Sequence, residues 1–135
     1  MSNKSNNSKR ALDTQIGGNY YKNLEFQPVE LFAKTKCTPF QANIWKYISR
    51  YKYKNKEEDI KKCMHYAELA KELKCNGELS LGKQSVVEAF CRVNKLTAKQ
   101  YRIVIAAFED NYDAVIKECA SILLNDYHIM LNTKL

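Results

Sequence analysis

The stretch TPFQANIWKYISRYKYKNKEEDIKKCMHY, residues 38–66, contains two helix starts. Thr38 can cap, Pro39 suits the first helical position, and Gln41 can reach back to complete a capping box. Ile44, Trp45, Ile48 and Tyr51 then recur at helical spacing. The spacing predicts a helix that fades near Tyr53–Asn55. Asn55 then caps a second helix, with Glu58 three residues on. Glu57, Glu58 and Asp59 fill its first turn, where the helix dipole favours acids. Ile60, Cys63, Met64, Ala67, Leu69, Ala70 and Leu73 give this helix an apolar side, and Asn76-Gly77 marks its end.

Outward from this pair, punctuation divides the chain. Residues 1–14 are rich in Ser, Asn and Lys and read as a flexible arm. Gly17-Gly18-Asn19 reads as a tight turn, followed at once by Tyr20 and Tyr21. Pro28 opens a short helix carrying Val29, Leu31 and Phe32 to about Lys36. After a linker at 78–83, a helix is predicted from Lys83 to Asn94. Thr97 and Gln100 form a second capping box ahead of Ile103, Val104, Ala107 and Phe108. Asn111 caps the last helix, which carries Val115, Ile116, Cys119, Ile122, Leu123 and Met130. The runs VVEAF and YRIVIAAF have strand propensity, but their caps argue for helix. No internal repeat is visible.

The fold class is therefore all-α: a compact bundle of about six short helices. An N-terminal arm (1–14), a basic block (15–76) and a neutral helical extension (77–135) divide it, packed as one unit. The apolar last helix packs on the core or forms the contact of a homo-oligomer.

Composition narrows the class further. With 135 residues and 45% hydrophobic content, the chain suits one globular domain. No apolar run approaches the ~18 residues that span a bilayer, so no membrane partner is expected. The N-terminus lacks the apolar core of a secretory signal. Five cysteines at 37, 63, 75, 91 and 119 form no CxxC pair, and His65 and His128 stand apart. That argues against a zinc site or a disulfide framework and for reduced thiols in a cytoplasmic protein.

Charge is concentrated. Residues 34–74 carry eleven bases and five acids, for +6 of the net +7. Lys46, Arg50, Lys52, Lys54 and Lys56 alternate with Trp45, Tyr47, Tyr51 and Tyr53. Cations beside ring faces suit a phosphate next to a base or sugar. A plain solvated basic face is the competing reading, yet the interleaved rings and the scarcity of acids favour a small nucleotide. Lys46 and Arg50 share a face, with Asn43 one turn earlier, while Asp59, Lys62 and Tyr66 share another. His65 is either a surface residue or a proton carrier. The P-loop, GxGxxG, GxSxG and HExxH motifs are all absent. Long nucleic acid is a weaker fit to so short a stretch.

In order, Gly17, Gly18, Tyr21, then Gln27, Pro28 and Glu30, then Asn43, Lys46, Tyr47, Arg50 and Lys54, then Glu58, Asp59, Lys62, His65 and Tyr66 form a series. That series resembles the SaV-like family of small phage proteins over residues 17 to about 73. The family includes a P-loop-free nucleotide kinase. The resemblance implies a nucleotide ligand and a phage origin, with the host cytoplasm as location. It differs at Tyr20, where the family usually has His, which removes a candidate group for phosphoryl transfer.

The expected function is binding of a small nucleotide phosphate without chemistry, such as sequestration of a cyclic immune signal. Lys46, Arg50 and Lys54 hold the phosphate, and Tyr20, Tyr21, Tyr47 and Tyr66 supply rings or hydroxyls. Asn43 reads a polar edge, Asp59 orients a cation or ribose, and Lys62 and His65 complete the set. Arg50 is expected to serve the ligand alone, so that its loss spares stability. No cofactor is needed. The alternatives are a nucleoside monophosphate kinase, which would use Mg2+, and a small nucleic-acid-binding module.

Overall fold

The computed structural model describes residues 10–16, 18, 21 and 24–131. The described residues form six helices and no strand: α1 (Pro28–Thr35), α2 (Pro39–Arg50), α3 (Glu57–Leu73), α4 (Leu81–Val93), α5 (Ala98–Phe108) and α6 (Tyr112–Tyr127). A 3-10 turn, Ala11–Asp13, precedes them, tied by the Arg10–Asp13 ion pair at 3.0 Å. Of the predicted arm, residues 1–9 lie outside the described residues, as do Gly17, Asn19 and Tyr20.

Both predicted capping boxes close. Gln41 N donates to Thr38 Oγ1 at 3.1 Å, and Thr38 N donates to Gln41 Oε1 at 3.0 Å. Thr97 and Gln100 repeat the arrangement at 2.8 and 3.2 Å. Each glutamine also reaches across the bundle. Gln41 Nε2 donates to the carbonyls of Ala107 and Phe108, and Gln100 Nε2 donates to that of Ile48. The start of α2 therefore meets the end of α5, and the start of α5 meets the end of α2. Between these bonds the indole of Trp45 donates to the Val104 carbonyl at 3.1 Å. Such bonds matter because a buried polar group left unpaired costs about 1–3 kcal/mol.

Helix α3 packs on α2 and α6, and α6 also packs on α5, giving a four-helix core. Ile44, Trp45, Ile48, Ile60, Cys63, Ala67, Ile103, Val104, Val115, Cys119, Ile122 and Leu123 fill it. The apolar side of α6 is thus buried within the chain. A flanking layer pairs α1 with α4. There Phe26 meets Phe90 edge-on at 5.2 Å, and the Asn94 side chain bonds both backbone polar groups of Phe26. The runs 86–90 and 101–108 lie inside α4 and α5 as helix. All five cysteines are free. No helix among the described residues is long and apolar enough to cross a membrane.

Several boundaries differ from expectation. Helix α2 stops at Arg50, and residues 51–56 form turns. Asn55 does not cap α3. The N-cap is Lys56, at a positive φ of 48° and a ψ of −119°, without a side-chain bond. The buried Asp59 carboxylate instead ties down the turn before the helix, accepting from the Asn55 N–H at 3.4 Å. At its other end α3 stops at Leu73, because Lys74 adopts the left-handed cap (φ 52°) and Cys75 N bonds the Ala70 carbonyl. Gly77 serves close approach instead: its N–H donates to the Asp110 carboxylate at 3.0 Å. Helix α4 begins at Leu81, since Ser80 caps it through the Lys83 N–H.

Candidate anion site

The end of α2 and the start of α3 are held together by one ion pair. Arg50 Nε and Nη2 donate to the two oxygens of Asp59 at 2.9 and 3.1 Å. Asp59 is 0% exposed and Arg50 7%. This fork-to-fork geometry is the strong form of a charged hydrogen bond. Burial works against the Arg50 charge, but the Asp59 hydrogen bonds and charge hold its pKa above the ordinary value.

Rings flank the guanidinium. Tyr47 lies 4.8 Å from its central carbon and Tyr21 lies 6.0 Å away. Tyr47 stacks on Tyr66 (centroids 6.0 Å, planes 12° apart). Lys46 and Lys62 also approach the Tyr47 ring, at 5.5 and 5.0 Å. The result is a layered cluster in which three cations share one ring. Burial, reinforced by the charges of Arg50, Lys54 and Lys62, pushes the Lys46 pKa down. Same-sign charge held this close favours an incoming anion.

Beside the cluster opens a cavity of 430 Å³. Lys46, Arg50 and Lys54 line its α2 side. Ile16, Pro28, Val29 and Phe32 supply its apolar lining, with Gln15, Tyr21 and Gln27 completing it. None of these lining residues is acidic. The Tyr21 hydroxyl donates to the Lys46 carbonyl at 3.4 Å, which ties the N-terminal segment to α2. Gly18 takes a positive φ of 135°, a conformation that suits glycine.

Of the expected site residues, Tyr21, Lys46, Arg50 and Lys54 line the cavity. Tyr47, Lys62 and Tyr66 support it as the stacked layer behind. Four expectations change. Asp59 cannot orient a cation or ribose, because it is fully buried and both oxygens serve Arg50. Arg50 has a structural part that was not expected, since its guanidinium holds the buried Asp59. The Asn43 amide is turned to the Pro39 carbonyl at 2.8 Å and does not line the cavity. His65 is exposed beside Glu68 and lies off the cavity as well. Tyr20 lies outside the described residues.

The apolar wall was not predicted. Val29 and Phe32 read as core-facing residues of a short helix, yet Val29 is 51% exposed and faces the cavity. Among the described residues, no three His, Cys, Asp or Glu side chains converge on a point that could hold a metal ion.

A protein-family profile described as "protein of unknown function (DUF3310)" matches residues 18–68. The matched span contains α1, α2 and most of α3, hence most of the cavity and its supporting cluster. No curated protein matches the chain, and no solved structure does.

Proposed function

We propose that the chain binds a small nucleotide, phosphate first, in the cavity between α1 and α2. One observation carries this reading: three cations and an apolar set line the same cavity, and no acid is among them. The cations suit a phosphate and the apolar wall suits the face of a base. At 430 Å³ the cavity falls within the ~300–1,000 Å³ typical of small-molecule sites. It accommodates a mononucleotide, or one nucleoside-phosphate unit of a cyclic nucleotide. Binding without chemistry fits the lining, because no carboxylate lines the cavity and Asp59, behind Arg50, is committed to it. Sequestration of a nucleotide, a cyclic immune signal included, is the biological use such a site serves.

The test is direct. The protein is incubated with mononucleotides and with cyclic di- and trinucleotides, with Mg2+ and ATP present, then heated, and the released ligand is chromatographed. Recovery of an intact bound nucleotide is the expected outcome. A newly phosphorylated product would replace this reading with the kinase, and salt-sensitive retention of long single strands alone would replace it with nucleic-acid binding.

A further inference from the structure

The second half of the chain repeats the first. Trp45 and Val104, which bond each other across the core, are 59 residues apart. The same displacement carries Lys36, Thr38, Gln41 and Ile44 onto Lys95, Thr97, Gln100 and Ile103. Lys36 and Lys95 share a left-handed conformation, with φ of 51° and 55°. Both Thr–Gln pairs are closed capping boxes.

The long-range bonds obey the relation too. Gln41 reaches the carbonyl of Ala107, and Gln100 reaches that of Ile48, the residue Ala107 replaces under the same displacement. A contact from i to j matched by one from j to i is the mark of a two-fold axis. Past the hairpin the displacement shortens by three residues, the difference between the loops 51–56 and 109–111. Ile60, Lys61 and Cys63 then fall on Ile116, Lys117 and Cys119. The buried Asp59, Ile60, Cys63 and Ala67 fall on the buried Val115, Ile116, Cys119 and Leu123. Helix packing has the same symmetry: α1 on α4, α2 on α5, and α3 on α6.

The site residues do not follow. Lys46 is replaced by Ile105, Tyr47 by Ala106, Arg50 by Glu109 and Asp59 by Val115. The basic loop is the segment that the second half shortens. A smaller cavity of 270 Å³ lies between the start of α4 and the end of α5, where Ser80 and Glu109 take the places that Tyr21 and Arg50 hold in the larger one. Leu79, Ser80, Leu81, Gln84, Phe108 and Glu109 line it, with no cation.

We propose that residues 87–129 are a second, diverged copy of the unit formed by residues 28–73, docked on it as a fused pseudo-dimer, and that this copy has lost the anion site and scaffolds the first. The single-site clause rests on the proposed function, whereas the duplication does not.

Two measurements separate these parts. Trp45 and Val104 are each other's counterparts, so exchanging them restores the same pair across the same axis. Trp45→Val alone and Val104→Trp alone each lower the melting temperature. The double exchange is expected to recover more than half of the loss caused by Trp45→Val. Losses that simply add would overturn the duplication. Second, the wild-type protein is titrated with adenosine 5′-monophosphate while backbone amide NMR shifts are followed. Shifts confined to the surroundings of Tyr21, Lys46, Arg50 and Lys54, saturating at one ligand per chain, are expected. Parallel shifts around Leu81, Gln84 and Glu109 would overturn the loss of the second site. No shifts anywhere would sink the single-site clause together with the proposed function, and the exchange of Trp45 and Val104 would still decide the duplication.

Discussion

Arg50 and Asp59 lock the end of α2 to the start of α3 through two parallel hydrogen bonds at 2.9 and 3.1 Å. The pair positions Arg50 on the cavity wall and fixes the hairpin that carries the basic loop. Breaking it from either side leaves a buried charge without a partner, at a cost of about 3–5 kcal/mol. Arg50→Ala and Asp59→Ala should each show that loss in urea denaturation. The double variant Arg50→Met/Asp59→Leu should be more stable than either single one, because no orphaned charge remains. Equal or additive losses in the double variant would show that the pair is not the source.

Lys46 should make ligand binding sensitive to alkaline pH. Its folded-state pKa lies below the ordinary 10.5, through burial and then through repulsion from Arg50, Lys54 and Lys62. For a base with a depressed folded pKa, the unfolded chain holds more protons between the two values. Stability therefore rises with pH across that window. Anion binding does the opposite, since it favours the protonated amine. Affinity for adenosine 5′-monophosphate should fall as pH rises through the depressed pKa, with proton uptake on binding. Titration calorimetry in two buffers of different ionisation enthalpy measures that uptake. Lys46→Met should remove the uptake and weaken binding while slightly stabilising the free protein.

Much of the helical frame was legible in the sequence, because capping is local chemistry. Thr38 with Gln41, Thr97 with Gln100, and Asn111 each announce a helix, and each one caps. Asn55 fails as a cap because the chain turns once more before α3, and the Glu58 N–H that its side chain would take bonds the Asn55 backbone carbonyl at 3.0 Å. The cations and rings of the site were visible as an alternating run. The apolar wall was not, since Val29 and Phe32 look the same in sequence whether they face a core or a cavity. The repeat stayed hidden because the hairpin loop shifts its register midway, and because the residues that would draw the eye, Lys46 and Arg50, are those the second copy lacks.

Tyr47 supports the site through its ring rather than its hydroxyl. Arg50, Lys46 and Lys62 all lie within 5.5 Å of its centroid, and Tyr66 stacks on it. Tyr47→Phe should leave stability and binding close to wild type. Tyr47→Leu should remove cation–ring attraction of about 0.5–1 kcal/mol per exposed cation and loosen the Arg50 orientation. Thermal melts and adenosine 5′-monophosphate titrations of the two variants separate ring from hydroxyl. A Phe variant as damaged as the Leu variant would assign the role to the hydroxyl.

Gly77 controls a joint far from the cavity. A Cβ there would meet the Gln41 side chain at 2.6 Å, too close for any real contact. Gln41 has little room to yield, since the same amide closes the α2 capping box and bonds the Ala107 carbonyl. Gly77→Ala must therefore displace Gln41 or move the backbone that bonds Asp110. Overpacking of this kind costs about 1–3 kcal/mol. Gly82, which has open space around the same added atom, is the control: Gly82→Ala inside α4 should stabilise by about 0.5–1 kcal/mol. Opposite shifts of the two urea midpoints are the expected result. Equal tolerance at both positions would mean that Gln41 is not held as its hydrogen bonds indicate.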